Sequence, residues 1–360
     1  MSPPVTLDRD RDRSCAALGD TRSQIMVPAL NSVGFTLIGY AILLTSRKVT
    51  PSCEEHCGLA ILGARMRGND HWSVGGVMDY EVYRAVADVA AAKRQGETQS
   101  PFTIEVRFLG GLTSRQQDAF KHAADRWTTA IVGDLPSVRL DGEVIDDLLI
   151  LAQGAAIDGP GKILGQAGPT HVRTTGAAAW LPVKGTMQFD TADLAQMETA
   201  GTLDDVITHE MGHVLGIGSI WDKKGLLDGA GGVNPVFRGP QAMQEYRDLR
   251  GGSGASIPVP VENTGGQGTR DAHWRESIFR NELMTGFVGT AGNPMSRITI
   301  ACLQDLGYTV DLDAAEPFTL PDVRALVEQG LVLADREDGA LAEGIVIPTI
   351  PIELPETSLV

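Results

Sequence analysis

One pentapeptide, His209-Glu210-Met211-Gly212-His213, limits what this chain can become more than any other feature. Histidines four apart share a face on a helix, about one turn from each other, where both imidazoles can point at one ion. Glu210, one step round that helix, reaches towards a metal's water without becoming a ligand. The flanks carry the same spacing. Leu203, Val206 and Ile207 before the motif and Val214 and Leu215 after it describe a buried helix, in which two imidazoles and a carboxylate are costly unless something satisfies them. A zinc ion does so, and a metal site is therefore the first expectation.

The composition suits a folded body around such a site. Of 360 residues 42% are hydrophobic and 21% charged, and the mean hydropathy is -0.03, which excludes a disordered or polytopic chain. The 30 Lys and Arg against 46 Asp and Glu leave a net charge of -16, which repels nucleic acid and anionic membrane surfaces. Cys15, Cys53, Cys57 and Cys302 are too few and too scattered for a disulfide framework.

From Pro101 the pattern tightens. Residues 102–109 alternate as a strand does and end at Gly110-Gly111. Thr113 caps a helix in which Phe120, Ala123, Ala124, Trp127 and Ile131 recur at helical spacing as far as Gly133. Strand-like stretches follow at 143–153, 161–168, 172–183 and 185–190, separated by Gly or Pro. Asp190 or Thr191 caps a short helix over 192–198, and Thr202 caps the long helix that carries the pentapeptide. Strand, helix, several strands, helix predicts an α+β fold with a helix packed on a mixed sheet. Upstream, residues 78–93 read as a helix with Val82, Val86 and Val89 on its apolar face.

Two histidines leave a catalytic zinc one protein ligand short of the usual three. Gly216 stands three residues after His213, where a helix can end and the chain turn to offer another histidine three residues on, but position 219 is a serine. His56, His71, His122, His171 and His273 remain. His122 falls in the first helix and His171 between strand-like stretches, while His273 follows a Gly-rich segment and precedes WRESIFRNELMTG.

The run HEMGHVLGIGSIW at 209–221, His273 at a separation of 60 from His213, and NELMTG at 281–286, with Met284 eleven after His273, together resemble the leishmanolysin-like metzincin peptidases. In that family a long insertion separates the helix motif from its third histidine, and a methionine turn follows. The stretch NPMSRITIACLQDLGYTVD at 293–311 resembles the family's closing helix, so the likeness covers about residues 101–316. It implies a metzincin-type zincin: a mixed twisted sheet, a zinc-binding active-site helix and a mostly irregular C-terminal subdomain. It also implies one catalytic Zn2+ held by His209, His213 and His273, Glu210 as general base, and Met284 as an apolar floor beneath the metal. The activity implied is that of a zinc-dependent endopeptidase acting on proteins or peptides, secreted or at the cell surface. Its substrates would lie extended along a strand edge, with 172–183 the candidate.

On this reading 101–220 is the N-terminal catalytic subdomain, 221–316 the C-terminal one, 317–360 a tail with a broken helix over 322–344, and 1–100 a leader. Within the leader, residues 23–46 carry no charge and are long enough to cross a bilayer or to form part of an export signal, although Pro28, Asn31, Gly34 and Gly39 dilute them. Membrane association through that run stays open. CEEHC, residues 53–57, offers thiolates that could block a zinc site. Two other classes compete with the enzyme: a catalytically inactive zincin-fold binding or adhesion module, and a structural zinc protein with four closed ligands, for which Cys302 is the only nearby cysteine.

Overall fold

The structure, a computed structural model, describes residues 81–97, 100–161, 164–266, 268–286, 292–322, 345–346 and 350–360. The uncharged run 23–46, Cys15, Cys53, Cys57, His56, His71 and all but the first residue of the helix expected over 322–344 lie outside them.

In chain order the first elements are β1 (Glu81–Val86), α1 (Val89–Arg94), β2 (Thr103–Phe108), α2 (Ser114–Ala130), β3 (Val138–Leu140), β4 (Glu143–Ile145) and β5 (Leu148–Ala155). Then come β6 (Gly165–Val172), β7 (Pro182–Asp190), α3 (Thr191–Ala200), α4 (Leu203–Val214), β8 (Leu227–Asp228) and β9 (Val236–Phe237). The rest are α5 (Pro240–Leu249), β10 (Val259–Pro260), α6 (Glu276–Phe279), α7 (Arg297–Leu306), β11 (Ile345–Val346) and β12 (Ile352–Glu353).

A mixed sheet organises the molecule in the order β1-β2-β5-β7-β6-β11, with β12 also on β6. β2, β5 and β7 run parallel, while β1 and β6 lie antiparallel to their neighbours β2 and β7. β11 and β12 pair in parallel with the two ends of β6 and close its outer edge. The α+β arrangement predicted from the sequence is thus present.

The faces of the sheet follow from the strand period of two. Leu148, Ile150 and Ala152 of β5 enter the main core with Phe120 and Trp127 of α2 and Ile207 and Met211 of α4. Leu149 joins a smaller cluster with Val138, Ile145, Val183 and Leu354. Helix α2 starts as its sequence predicts: Thr113 takes the Gln116 N–H while the Gln116 side chain takes the Thr113 N–H, a reciprocal cap.

Three expectations are corrected. Residues 81–86 form strand β1 on the open edge of β2, and only 89–94 are helical, capped by the Asp88 side chain on the Ala91 N–H. Val82, Val86 and Val89, expected to be buried, are about half exposed at 48%, 54% and 50%. The strand expected over 143–153 divides at Asp146-Asp147, because the buried Asp147 carboxylate accepts the N–H groups of Thr103 and Leu135, both at 2.7 Å. Its first part instead forms a hairpin with β3 through Asp141 and Gly142, whose φ of 53° and 87° suit a tight two-residue turn. Finally, residues 172–183 are not an exposed strand edge. β6 ends at Val172, and 174–181 turn back so that Trp180 N–H donates to the Arg173 carbonyl. The buried Arg173 guanidinium pins that turn by donating to the carbonyls of Pro136, Pro182, Asp146 and Asp147.

Candidate metal centre

Helix α4 runs under β6 and β7, and its residues from Val206 to Val214 are all buried. Packing explains the glycine in the motif. A Cβ at Gly212 would stand 2.7 Å from Met284 Sδ and 2.9 Å from Trp127 Cζ2, so only glycine lets the methionine and the indole close on the helix. The helix ends at Val214, and the chain reverses at Gly216, whose φ is 111°. Ser219, at the place where a compact motif would put a third histidine, donates its hydroxyl to the His213 carbonyl at 2.7 Å.

The reversal brings His273 to the helix. Gly218, with φ of 73°, lies so close to Ala272 that a side chain would strike its carbonyl. Next to Ala272, His273 is held by the Glu262 N–H, which donates to its carbonyl at 2.8 Å, and Trp274 bridges to Val261 on one side and Thr285 on the other. Trp274 is itself buried against Trp221, Phe237 and Phe279.

The Nε2 atoms of His209, His213 and His273 stand 3.0 to 3.1 Å from one another, and all three residues are buried. Each Nδ1 faces a backbone carbonyl: Leu283 O at 2.7 Å for His209, Ile217 O at 2.8 Å for His213 and Thr269 O at 2.8 Å for His273. A carbonyl only accepts, so each Nδ1 carries the proton and each Nε2 presents a lone pair. Burial pushes His209 down to about 3, His213 down to about 4 and His273 well below its ordinary value, which leaves all three rings neutral at pH 7. Three converging lone pairs with no proton between them repel unless a cation lies among them. Imidazoles at about 2.0–2.1 Å from a tetrahedral zinc stand roughly 3.3 Å apart, close to the spacing found here. The donor set fits the ion.

Glu210 completes the constellation. Its Oε1 lies 3.8 Å from His209 Nε2, and among the described residues its buried Oε2 has no hydrogen-bond partner. Burial pushes this carboxyl well above its usual range. The sulfur of Met284 rests on the helix at Gly212, and its backbone N–H donates to Glu282 Oε2 at 2.6 Å.

The other histidines stay apart. His122 is exposed on α2 and pairs with Asp204 at 2.9 Å, and His171 on β6 faces the Thr170 hydroxyl. Cys302 is buried in α7 against the Trp221 indole N–H. Among the described residues no fourth His, Cys, Asp or Glu ligand atom lies within 4.8 Å of all three imidazole nitrogens. Sequence reasoning missed the three carbonyls that fix the rings, since backbone partners leave no residue-type signal. It also passed over Glu282, whose place two residues before Met284 was a signal available to it.

Residues 174–323 match the leishmanolysin family of peptidases. Over 109 residues, 28% of this chain, the sequence is 30% identical to a leishmanolysin homolog of Crithidia fasciculata, of which the match covers 16%. Over 60 residues it is 42% identical to a leishmanolysin-like peptidase of Drosophila melanogaster, covering 16% of this chain and 9% of that protein. A leishmanolysin-like peptidase of Caenorhabditis elegans is 42% identical over 57 residues, or 16% of this chain and 8% of its own. The matched stretch thus spans less than a fifth of the length of each of these relatives.

Proposed function

This chain belongs to the leishmanolysin-like metallopeptidase family, and we propose that it is a zinc-dependent endopeptidase whose metal is held by His209, His213 and His273. One observation carries the reading: three neutral imidazoles converge on one point beside a buried carboxylate that has an unpartnered oxygen. When bound, zinc supplies Lewis acidity, lowering the pKa of its water towards neutrality and polarising a carbonyl.

The protein's own residues do the rest. The three backbone carbonyls hold the imidazoles in one tautomer and one orientation, which is how outer partners tune a metal site. Glu210 takes the proton of the attacking water on its free oxygen and passes it to the departing amine. The thioether side chain of Met284 gives the site an apolar floor at Gly212. In this reading the fold is a metzincin-type zincin, with 101–220 and 221–316 as the two catalytic subdomains, and the substrates are proteins or peptides. A secreted or cell-surface setting is proposed from the family alone. The complete set of His209, Glu210, His213, His273 and Met284 favours turnover over an inactive binding module.

The test pairs metal content with cleavage. The full chain is expected to hold one zinc per molecule and to cut an unstructured protein in a chelator-sensitive way. Glu210→Gln is expected to keep that zinc and lose turnover by at least about a hundredfold, the contribution of a general base. Chelator-insensitive cleavage, or full activity in Glu210→Gln, would refute the reading.

A further inference from the structure

Behind the histidines lies a second buried carboxylate that the mechanism above does not use. Glu282 is wholly buried, and among the described residues the groups that hydrogen-bond to its carboxylate are neutral donors. Its Oε2 accepts the Met284 N–H at 2.6 Å, and its Oε1 accepts the Ser296 N–H at 3.1 Å, the Ser296 hydroxyl at 2.7 Å and the Thr299 hydroxyl. Burial pushes this carboxyl above its ordinary value even against those four bonds. A carboxylate in the interior with no cationic partner among its hydrogen bonds is costly, and an apolar residue of similar size would pack there more cheaply unless the contacts matter.

The contacts lead to two of the three imidazoles. Leu283, the next residue, gives its carbonyl to His209 Nδ1, and its N–H is held by the Pro294 carbonyl. Thr299, on α7, donates to Glu282 and accepts the Trp274 indole N–H at 2.9 Å, while the Trp274 backbone N–H donates to the Met284 carbonyl at 2.9 Å. Trp274 directly follows His273. One side chain therefore ties together the turn that orients His209, the turn that seats Met284 on the helix, and the strand-like segment that carries His273.

We propose that Glu282 is the positioning residue of the zinc site, acting through the Leu283 carbonyl on His209 and through Thr299 and Trp274 on His273. The proposal rests on the zinc reading above. It predicts that weakening the Glu282 hub loosens metal binding before it unfolds the protein, because the rings lose their fixed aim while the surrounding core stays packed. Glu282→Gln is isosteric, but its amide NH2 must face one of the donors now bound to an oxygen, and the N–H of Met284 or Ser296 loses its partner. Thr299→Val removes the hydroxyl that both donates to Glu282 and accepts from Trp274, whereas Thr299→Ser keeps it.

The experiment measures the affinity of the full chain for Zn2+ alone, by competition with a chromophoric chelator well below the melting temperature of the metal-free protein. Glu282→Gln and Thr299→Val are each expected to bind zinc ten- to a hundredfold more weakly, as loss of an outer partner does, and Thr299→Ser to remain within about twofold of wild type. Val138→Ala, in the smaller cluster away from the histidines, sets the comparison for a purely structural loss: it lowers the melting temperature and leaves zinc affinity unchanged. If Glu282→Gln and Thr299→Val behave like Val138→Ala, the positioning role is overturned and the zinc reading stands. If the wild-type chain binds no zinc, both fall together.

Discussion

Of the three histidines proposed to hold zinc, His273 alone comes from outside helix α4, and the proposed site depends most on it. Without it two imidazoles remain, and a pair of histidines binds zinc weakly and exchanges it. His273→Ala is expected to lose zinc on dialysis against a weak chelator, while His171→Ala, altering a ring that faces Thr170, keeps it. An unchanged metal-to-protein ratio in His273→Ala would place the third ligand elsewhere. Gly212 is constrained by packing. An added methyl there presses on Met284 and Trp127, and overpacking of that kind costs about 1–3 kcal/mol. Gly212→Ala should show that loss, less the roughly 0.5–1 kcal/mol that alanine gains over glycine in a helix interior, in chemical denaturation, and a variant more stable than wild type would mean that Met284 and the Trp127 indole both move aside freely.

At the scale of elements, Asp190 does the work of two turns at once. Its carboxylate caps α3 at the Ala192 N–H, 2.8 Å away, and also takes the N–H groups of Ile157, Asp158 and Gly159 from the loop after β5. These bonds, that to Ala192 first, pull its pKa down to about 2. A group whose folded pKa lies below its unfolded value of about 3.9 contributes stability that is present above that value and is lost as pH falls through the folded one. The stability gap between wild type and Asp190→Asn is therefore expected to be full at neutral pH and to close between about pH 4 and pH 2 in acid-denaturation series. A gap constant across that range would remove the carboxylate's charge from the account. The same elements show what a sequence can reveal. Caps marked α2 and α3, where Thr113 and Asp190 act locally, whereas α4 was marked by the apolar run from Leu203 to Val214 alone, because Thr202, expected as its cap, makes no side-chain cap hydrogen bond. β1 escaped because a spacing of four, as between Val82 and Val86, fits a helix turn and also one face of a strand, and only pairing with β2 decides between them. The pair His209 and His213 could be read from one pentapeptide. The meeting with His273 rests on contacts across 60 residues, which no local pattern records.

Across the whole molecule, the closing of the sheet is the feature with the widest effect. β12 covers one end of β6, Leu354 fills the smaller cluster, and the Leu354 N–H and carbonyl bond to the Val172 carbonyl and the Thr174 hydroxyl. Removing residues 350–360 should open both a strand edge and an apolar cluster, and open edges recruit other chains. Concentration-dependent self-association in light scattering, with a lowered melting temperature, is the expected result, and a monodisperse truncated protein with unchanged melting would show that this segment does not guard the edge. The pairing also has a timing. Ile352 joins His171 from 181 residues further along (352 minus 171), and at a synthesis rate of about 5–20 residues per second β6 waits roughly ten to forty seconds for its partner. During that interval the outer edge of β6 at His171 and Val172 lacks its partner, so slower translation lengthens the time for which that edge stands open.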